Sequence, residues 1–407
     1  MKQLFQIIFT ITVTTCVGQS TLTDPTSGCK FVLPWPCDEC TMTWTGSCID
    51  SVPNGNGVLT ARYASEEIMT YNGHMKNGLF HGLGSYKDGM SEMEGYFMNG
   101  HFFSKDSTIW SNYQNQQLDK VHLNGSDGSN NLYLTISPPD GVYKGYMFLI
   151  PSFYESPEHV LEQTDLPIVA AKQGIMTIIP TFQTGLASFG IDSLTQHSFK
   201  EIMEDVHQRF NLENSSFYLG GFSIGGSCAV KFAEDAVRDN YQYQPDAIFV
   251  VDPPLDFIRF YNSMKRILRI DPNSKLQKEA LYMTERIEKE LNGTPITNTQ
   301  NYIDRSPYCF TDTNQTAIKY LIDVPIRYYT EPELHWKMEY FGSADYSDIN
   351  GLDGSCMINE LGLLGNKNAE LILTKDKGYR RPNHRKQPHS WSIIDDNELI
   401  EWLQNFK

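Results

Sequence analysis

From about residue 130 onward, short apolar runs alternate with longer amphipathic stretches. Residues 132–137, 145–150, 175–179, 216–219, 247–251, 325–329 and 370–373 are such runs. Each is short enough for a strand and apolar enough to be covered on both faces. Residues 191–210 carry the period of an amphipathic helix, and Leu399, Ile400, Trp402 and Leu403 give the same period to a closing helix over 397–406. Strands that alternate with helices predict a mostly parallel central sheet flanked by helices, an α/β class. Residues 253–323 interrupt the alternation with no sheet pattern and a helical stretch around 275–291. Their place in the order suits a lid inserted over a functional site.

The first quarter of the chain follows a different rule. Tyr71-Asn-Gly73, Lys76-Asn-Gly78, His81-Gly-Leu-Gly84, Tyr86 and Asp88-Gly89 form one unit, and Gly95 to Gly100 begin another. Upstream, Trp44-Thr-Gly46 and Gly55-Asn-Gly57 stand at the same offset as Tyr71-Asn-Gly73 and Gly82-Leu-Gly84. Aromatic residues interleaved with paired glycines predict short hairpins in series, with glycine at the turns and each aromatic ring buried against the next hairpin. Residues 53–105 resemble MORN repeats. That resemblance implies an elongated sheet that binds a partner or a surface; the plainer reading is a small structural module.

Composition narrows the class. Of 407 residues, 40% are hydrophobic and 20% charged, as in a globular chain long enough for two folded units. The formal net charge of −16 disfavours nucleic-acid binding, because such a surface repels phosphate backbones. Lys2 followed by a mostly apolar run to Thr15 and by Cys16-Val-Gly18 reads as a signal peptide over residues 1–18, cleaved before Gln19. Lipid attachment at Cys16 is the competing reading, and no later run is long enough to be a transmembrane segment. The expected location is therefore secreted or periplasmic. In an exported chain the Cys-rich segment 19–52, with Cys29, Cys37, Cys40 and Cys48, predicts two disulfides of open pairing. A zinc site at Cys37-Asp-Glu-Cys40 is the alternative.

The strongest chemical signal is Gly220-Gly-Phe-Ser223-Ile-Gly-Gly226, a G-x-S-x-G directly after an apolar strand and before a helix-compatible run. That context is the one a nucleophile elbow requires: a strained turn lifts the serine hydroxyl above the sheet. A serine needs a base, and His389, in Gln387-Pro-His-Ser-Trp391 between the last strand and the closing helix, is the candidate. His384 is the alternative. Glu333 and Glu331, just past the strand at 325–329, are the candidate acids, with Asp252 after the strand at 247–251 as a third. Backbone N–H groups of Ile224 and Phe153 are the candidate oxyanion donors.

Together these features make residues 130–407 resemble the α/β-hydrolase superfamily. The resemblance implies an acyl-enzyme on Ser223 with His389 as general base, and neither an organic cofactor nor a metal. It points to a carboxylic-ester hydrolase acting on a small-molecule or glycan-linked ester. A serine peptidase of the prolyl-oligopeptidase type shares the elbow, and a non-catalytic surface protein acting through the repeats is the reading from another class. A basic stretch, Lys375, Lys377, Arg380, Arg381, Arg385 and Lys386, runs up to His389. It is read either as a solvated loop or as an attractor for an anionic substrate.

Overall fold

In the computed structural model, residues 20–33, 39–89, 91–98, 100–123, 130–271, 273–381 and 384–406 are described. The expected signal peptide, Cys16 and Cys37 lie outside them. The chain divides into two compact units, residues 1–116 and 117–407.

The first unit is an antiparallel sheet in which Cys40–Trp44, Val52–Tyr63, Glu66–Lys76, Leu79–Asp88, Glu92–Met98 and His101–Ser104 pair in chain order. The repeat has a different physical basis from the one its turns suggest. Gly57, Gly73, Gly84 and Gly95 face one another across successive strands. The fully buried Tyr71 ring fills the space above Gly73 and Gly84, and a Cβ on either would come within 2.7 Å of its hydroxyl. The paired glycines thus make room in mid-strand for an aromatic side chain, which stacks on Phe80 at 3.8 Å. Only some repeat glycines serve turns, as at Asn77-Gly78, where both φ values are positive (52° and 79°). Cys29 and Cys48 form a disulfide, and Cys40 is also disulfide-bonded. Among the described residues no cluster of metal-ligating side chains occurs.

The second unit is built on an eight-stranded sheet: β1 (Leu118–His122), β2 (Leu132–Ile136), β3 (Gly145–Ile150), β4 (Ile175–Thr181), β5 (Ser216–Phe222), β6 (Ala247–Val251), β7 (Ile326–Thr330) and β8 (Ala369–Leu373). Their spatial order is β1-β2-β4-β3-β5-β6-β7-β8. The pairs β1–β2 and β2–β4 are antiparallel, and every pair from β4–β3 onward is parallel. This is the α/β-hydrolase fold. Strand β1 precedes the boundary at residue 130 expected from sequence. Its Leu-Asp-Lys-Val-His run lies at the sheet edge and is only partly covered, so it lacks the apolar continuity that marks the inner strands.

The inner strands are buried along their whole length, as their composition predicts. One face packs on α2 (Ser193–Arg209) and α3 (Ile224–Arg238), where Phe199 meets Phe232 at 4.1 Å and Phe148 at 5.1 Å. On the other face α1 (Leu166–Lys172) packs on the closing helix α8 (Asp396–Leu403). Between β6 and β7 stand α4 (Phe257–Ile270) and α5 (Gln277–Glu290), whose apolar faces form a separate cluster with Phe189, Ile191 and Ile224. Between the parallel strands β7 and β8, a further helix unforeseen from the sequence, α6 (Leu334–Phe341), precedes α7 (Gly351–Leu364), the crossover helix packed on both strands.

Asp396, at the start of α8, accepts a hydrogen bond from Thr164 and lies near Asp165. Burial, reinforced by the Asp165 charge, pushes its carboxyl up from 3.8 to about 7. The unfolded chain therefore releases this proton at lower pH than the folded one, and stability falls as pH rises from about 4 to about 7. Asp396→Asn is expected to raise the unfolding temperature by a few degrees at pH 8 and to leave it unchanged at pH 4. A shift that is the same at both pH values would remove Asp396 as the cause.

Candidate active site

The chain turns sharply at the end of β5. Ser223 has φ 53° and ψ −127°, and its N–H donates to the carbonyl of Val251 on the neighbouring strand at 2.8 Å. A serine held at positive φ is strained, and the surroundings over-determine it. A Cβ on Gly221 would lie 2.3 Å from the carbonyl oxygen of Gly225. A Cβ on Gly225 would lie 2.3 Å from the carbonyl oxygens of Ile150 and Pro151. Only glycine at both positions lets the helix α3 start so close to the ends of β3 and β5.

Strand β6 lies parallel beside β5 with Phe222 opposite Val251, so the residues following them, Ser223 and Asp252, emerge side by side. Asp252 also adopts positive φ, 49°. His389, on the loop between β8 and α8, sits over both: Nε2 is 2.9 Å from Ser223 Oγ and Nδ1 is 2.7 Å from Asp252 Oδ2. The other carboxylate oxygen of Asp252 accepts from Thr330 Oγ1 at 2.7 Å, and its carbonyl accepts from Asn350 Nδ2 at 3.0 Å. With Nδ1–H donated to the buried carboxylate, Nε2 is left as an acceptor for the serine proton.

The carboxylates favoured by the sequence stand elsewhere. Glu331 is buried and accepts from the N–H groups of Lys377 and Gly378 and from Thr374 Oγ1, so it ties down the loop after β8. Glu333 pairs with Lys386 at 3.3 Å. The physical reason is simple. Val251 stands opposite Tyr329, so Asp252 is level with Thr330, and Glu331 lies one residue further along, where the alternation of a strand turns its side chain away. The Thr330 hydroxyl and His389 both meet Asp252. His384 is exposed, against the ring of Tyr379, and does not approach the serine.

The candidate oxyanion donors lie on α3 and on the loop after β3. Ile224 opens α3, so its N–H has no helical acceptor. In the loop, Ser152 N–H donates to Glu155 Oε2 at 2.8 Å and Tyr154 N–H to the Leu186 carbonyl at 2.8 Å. The N–H of Phe153, between them, has no acceptor among the described residues, and both Phe153 and Ile224 line the cleft beside Ser223. Glu155 was not visible in the sequence as a site residue. It is buried, also accepts from Trp391 Nε1 at 3.2 Å, and so joins the loop after β3 to the segment carrying His389. Burial raises its carboxyl above the usual range, with the Ser152 hydrogen bond opposing.

The cleft above Ser223 has a volume of about 590 Å³. Its apolar walls come from Phe260 and Met264 of α4, Tyr282 and Met283 of α5, and Phe341 of α6. Lys337 of α6 and Arg380 also line it. Arg380 belongs to the basic stretch that the sequence offered as an attractor for an anionic substrate, whereas Lys337 was not singled out. Both are placed by the insertions and loops, whose course carries no periodic signal. Cys228, behind the elbow on α3, is a buried free thiol whose pKa is pushed up by desolvation.

No family model and no curated protein matches the sequence. Solved structures are similar in fold. The S-formylglutathione hydrolase from Agrobacterium tumefaciens is 13% identical with a TM-score of 0.41, over 71% of this chain and 94% of that one. Carboxyl esterase 2 from Tuber melanosporum is 11% identical with a TM-score of 0.42, over 63% of this chain and 75% of that one. Oligopeptidase B from Leishmania major is 11% identical with a TM-score of 0.43, over 87% of this chain but 49% of that one. At these values the likenesses carry no argument about the reaction, which rests on the geometry around Ser223.

Proposed function

We propose that the chain is a serine hydrolase that cleaves a carboxylic ester through an acyl-enzyme on Ser223. The observation that carries this reading is the line of hydrogen bonds from Ser223 Oγ through the His389 ring to Asp252 at 2.9 and 2.7 Å, on a strained elbow facing an open cleft. Ser223 Oγ attacks the ester carbonyl while His389 Nε2 takes its proton. The oxyanion is held by the N–H groups of Ile224 and Phe153. His389 then gives the proton to the leaving oxygen as the carbon–oxygen bond to the alcohol breaks. Water attacks the acyl group next, His389 takes its proton and returns it to Ser223, and the acid leaves. Asp252 holds the imidazole in the required tautomer and stabilises its charged form.

No helix among the described residues is long and apolar enough to cross a membrane. Export rests on the sequence of the first 18 residues, and the Cys29–Cys48 disulfide supports an oxidising compartment.

A fluorophosphonate probe tests the nucleophile directly. The wild-type chain is expected to be labelled, and Ser223→Ala and His389→Ala to lose the label. A folded wild-type chain that takes no label would overturn the reading.

A further inference from the structure

The chain carries a formal net charge of −16, yet cations cluster in the cleft over Ser223. The basic stretch before His389 sorts into two groups. Arg381 is held bidentately by Asp165 at 2.9 and 3.0 Å, and Lys386 pairs with Glu333 and Asp376. Arg385 lies over the ring of Tyr340. Arg380 alone of this stretch turns into the cleft. Among the described residues no carboxylate lies within ion-pair distance of it. Its guanidinium instead stacks over Phe222 at 5.2 Å, and the Phe222 ring is 4.6 Å from that of His389. Stacking fixes the plane of a guanidinium and leaves its edge free for a bidentate acceptor. Lys337, on the wall formed by α6, donates to the Asp348 carbonyl at 2.8 Å and likewise has no carboxylate within ion-pair distance. Lys278 lines the same cleft. Against these three cations stand Glu279 and Asp348 in the lining, with Glu155 acting on Arg380 and Asp252 on Lys337 from beyond ion-pair distance. Asp348 is already engaged by Ser263 and by the Asp345 N–H.

We propose that Arg380 is a specificity-determining residue that binds a carboxylate on the alcohol portion of the ester, so that the substrate is an ester of an acidic alcohol. The placement favours the alcohol side, because Arg380 lies on the side of His389, which delivers the proton to the leaving oxygen. Lys337 contributes a second positive charge to the same cleft. Desolvation lowers the pKa of both cations, with Glu155 opposing at Arg380 and Asp252 and Asp348 opposing at Lys337. A bound anion would offset that desolvation for both groups at once.

The proposal rests on the serine-hydrolase reading, and its test separates the two. The purified chain is assayed on 4-acetoxybenzoate and on 4-acetoxybenzamide, which share the acetyl group and differ in the charge of the leaving phenol. Each rate is normalised to that for hydroxide. Wild type is expected to prefer the carboxylate by about tenfold or more in kcat/KM, mainly through KM, with the preference shrinking as salt is added. Arg380→Gln should bring the ratio to about one, and Arg380→Lys should restore part of it, since a point charge lacks the planar fork. Equal rates on the two esters by a wild-type chain that takes the fluorophosphonate label would overturn the carboxylate site and leave the hydrolase reading intact. A preference that survives in Arg380→Gln would also overturn it. Absence of both hydrolysis and labelling would overturn the two together.

Discussion

Asp252→Asn is expected to lower kcat/KM on a neutral ester by about four orders of magnitude, whereas Glu333→Gln leaves it within about twofold. Asparagine keeps the shape and can still accept from Thr330, which donates to Asp252 at 2.7 Å. What changes is the partner of His389 Nδ1. A carboxylate accepts only, so it forces the proton onto Nδ1 and frees Nε2 for the serine. An amide that donates to Nδ1 would put the ring proton on Nε2, facing Ser223, where it blocks proton transfer. Steady-state rates on a neutral acetate ester, with the far-UV spectrum as a check on folding, decide the matter. A loss of similar size in Glu333→Gln with little loss in Asp252→Asn would move the acid to the other strand. Glu331→Gln is unsuited as a control, because the Glu331 carboxylate holds two backbone N–H groups of the loop after β8.

The second large effect is on stability. Arg259, near the start of α4, meets Asp353 of α7 with both Nε and Nη2, and reaches Asn350 and the Ser347 carbonyl as well. The side chains of Arg259 and Asp353 are 12% and 2% exposed. Asp353 also accepts from the N–H groups of Leu255 and Asp256. Arg259→Met would leave the carboxylate buried with two backbone donors and no counter-charge, a loss of about 3–5 kcal/mol. The denaturant midpoint at which the chain loses its capacity for fluorophosphonate labelling should fall accordingly. Replacing Arg259 and Asp353 together by apolar residues should recover much of the loss, since the desolvation cost disappears with both charges. A single variant with an unchanged midpoint would mean that the pair is solvated in solution.

What the sequence disclosed depended on how locally each feature is determined. Strands β3 to β6 are covered on both faces, so their apolar runs stood out. The elbow was legible because its glycines are required by clashes within a few residues, and His389 because it precedes the closing helix. The candidate acid was legible only as one of three, with Asp252 behind Glu333 and Glu331. The register that sets Asp252 level with Thr330, and its contacts with Thr330 and His389, join segments far apart in the chain. Lys337 and Glu155 were hidden for the same reason, and Arg380 was legible only as one member of a basic stretch. In the first unit the repeat itself was visible, but the register that lines up Gly57, Gly73, Gly84 and Gly95 beneath the aromatic rings was not.

The two ends of the inserted helical segment are held very differently. Its root is fastened by Arg259, which grips Asp353 and Asn350, while Asn350 in turn holds the backbone of Asp252. At the other edge the hydroxyls of Tyr154 and Tyr282, both exposed, meet at 3.1 Å. A single solvent-facing hydroxyl pair contributes about 1 kcal/mol, several times less than the fastening at the root. Inward of the tyrosines the same helices rest on Phe189, Ile191 and Ile224 through buried apolar side chains. The cover is therefore clasped at its root and cushioned along its underside, and the Tyr154–Tyr282 pair is the polar tie at its solvent-facing rim.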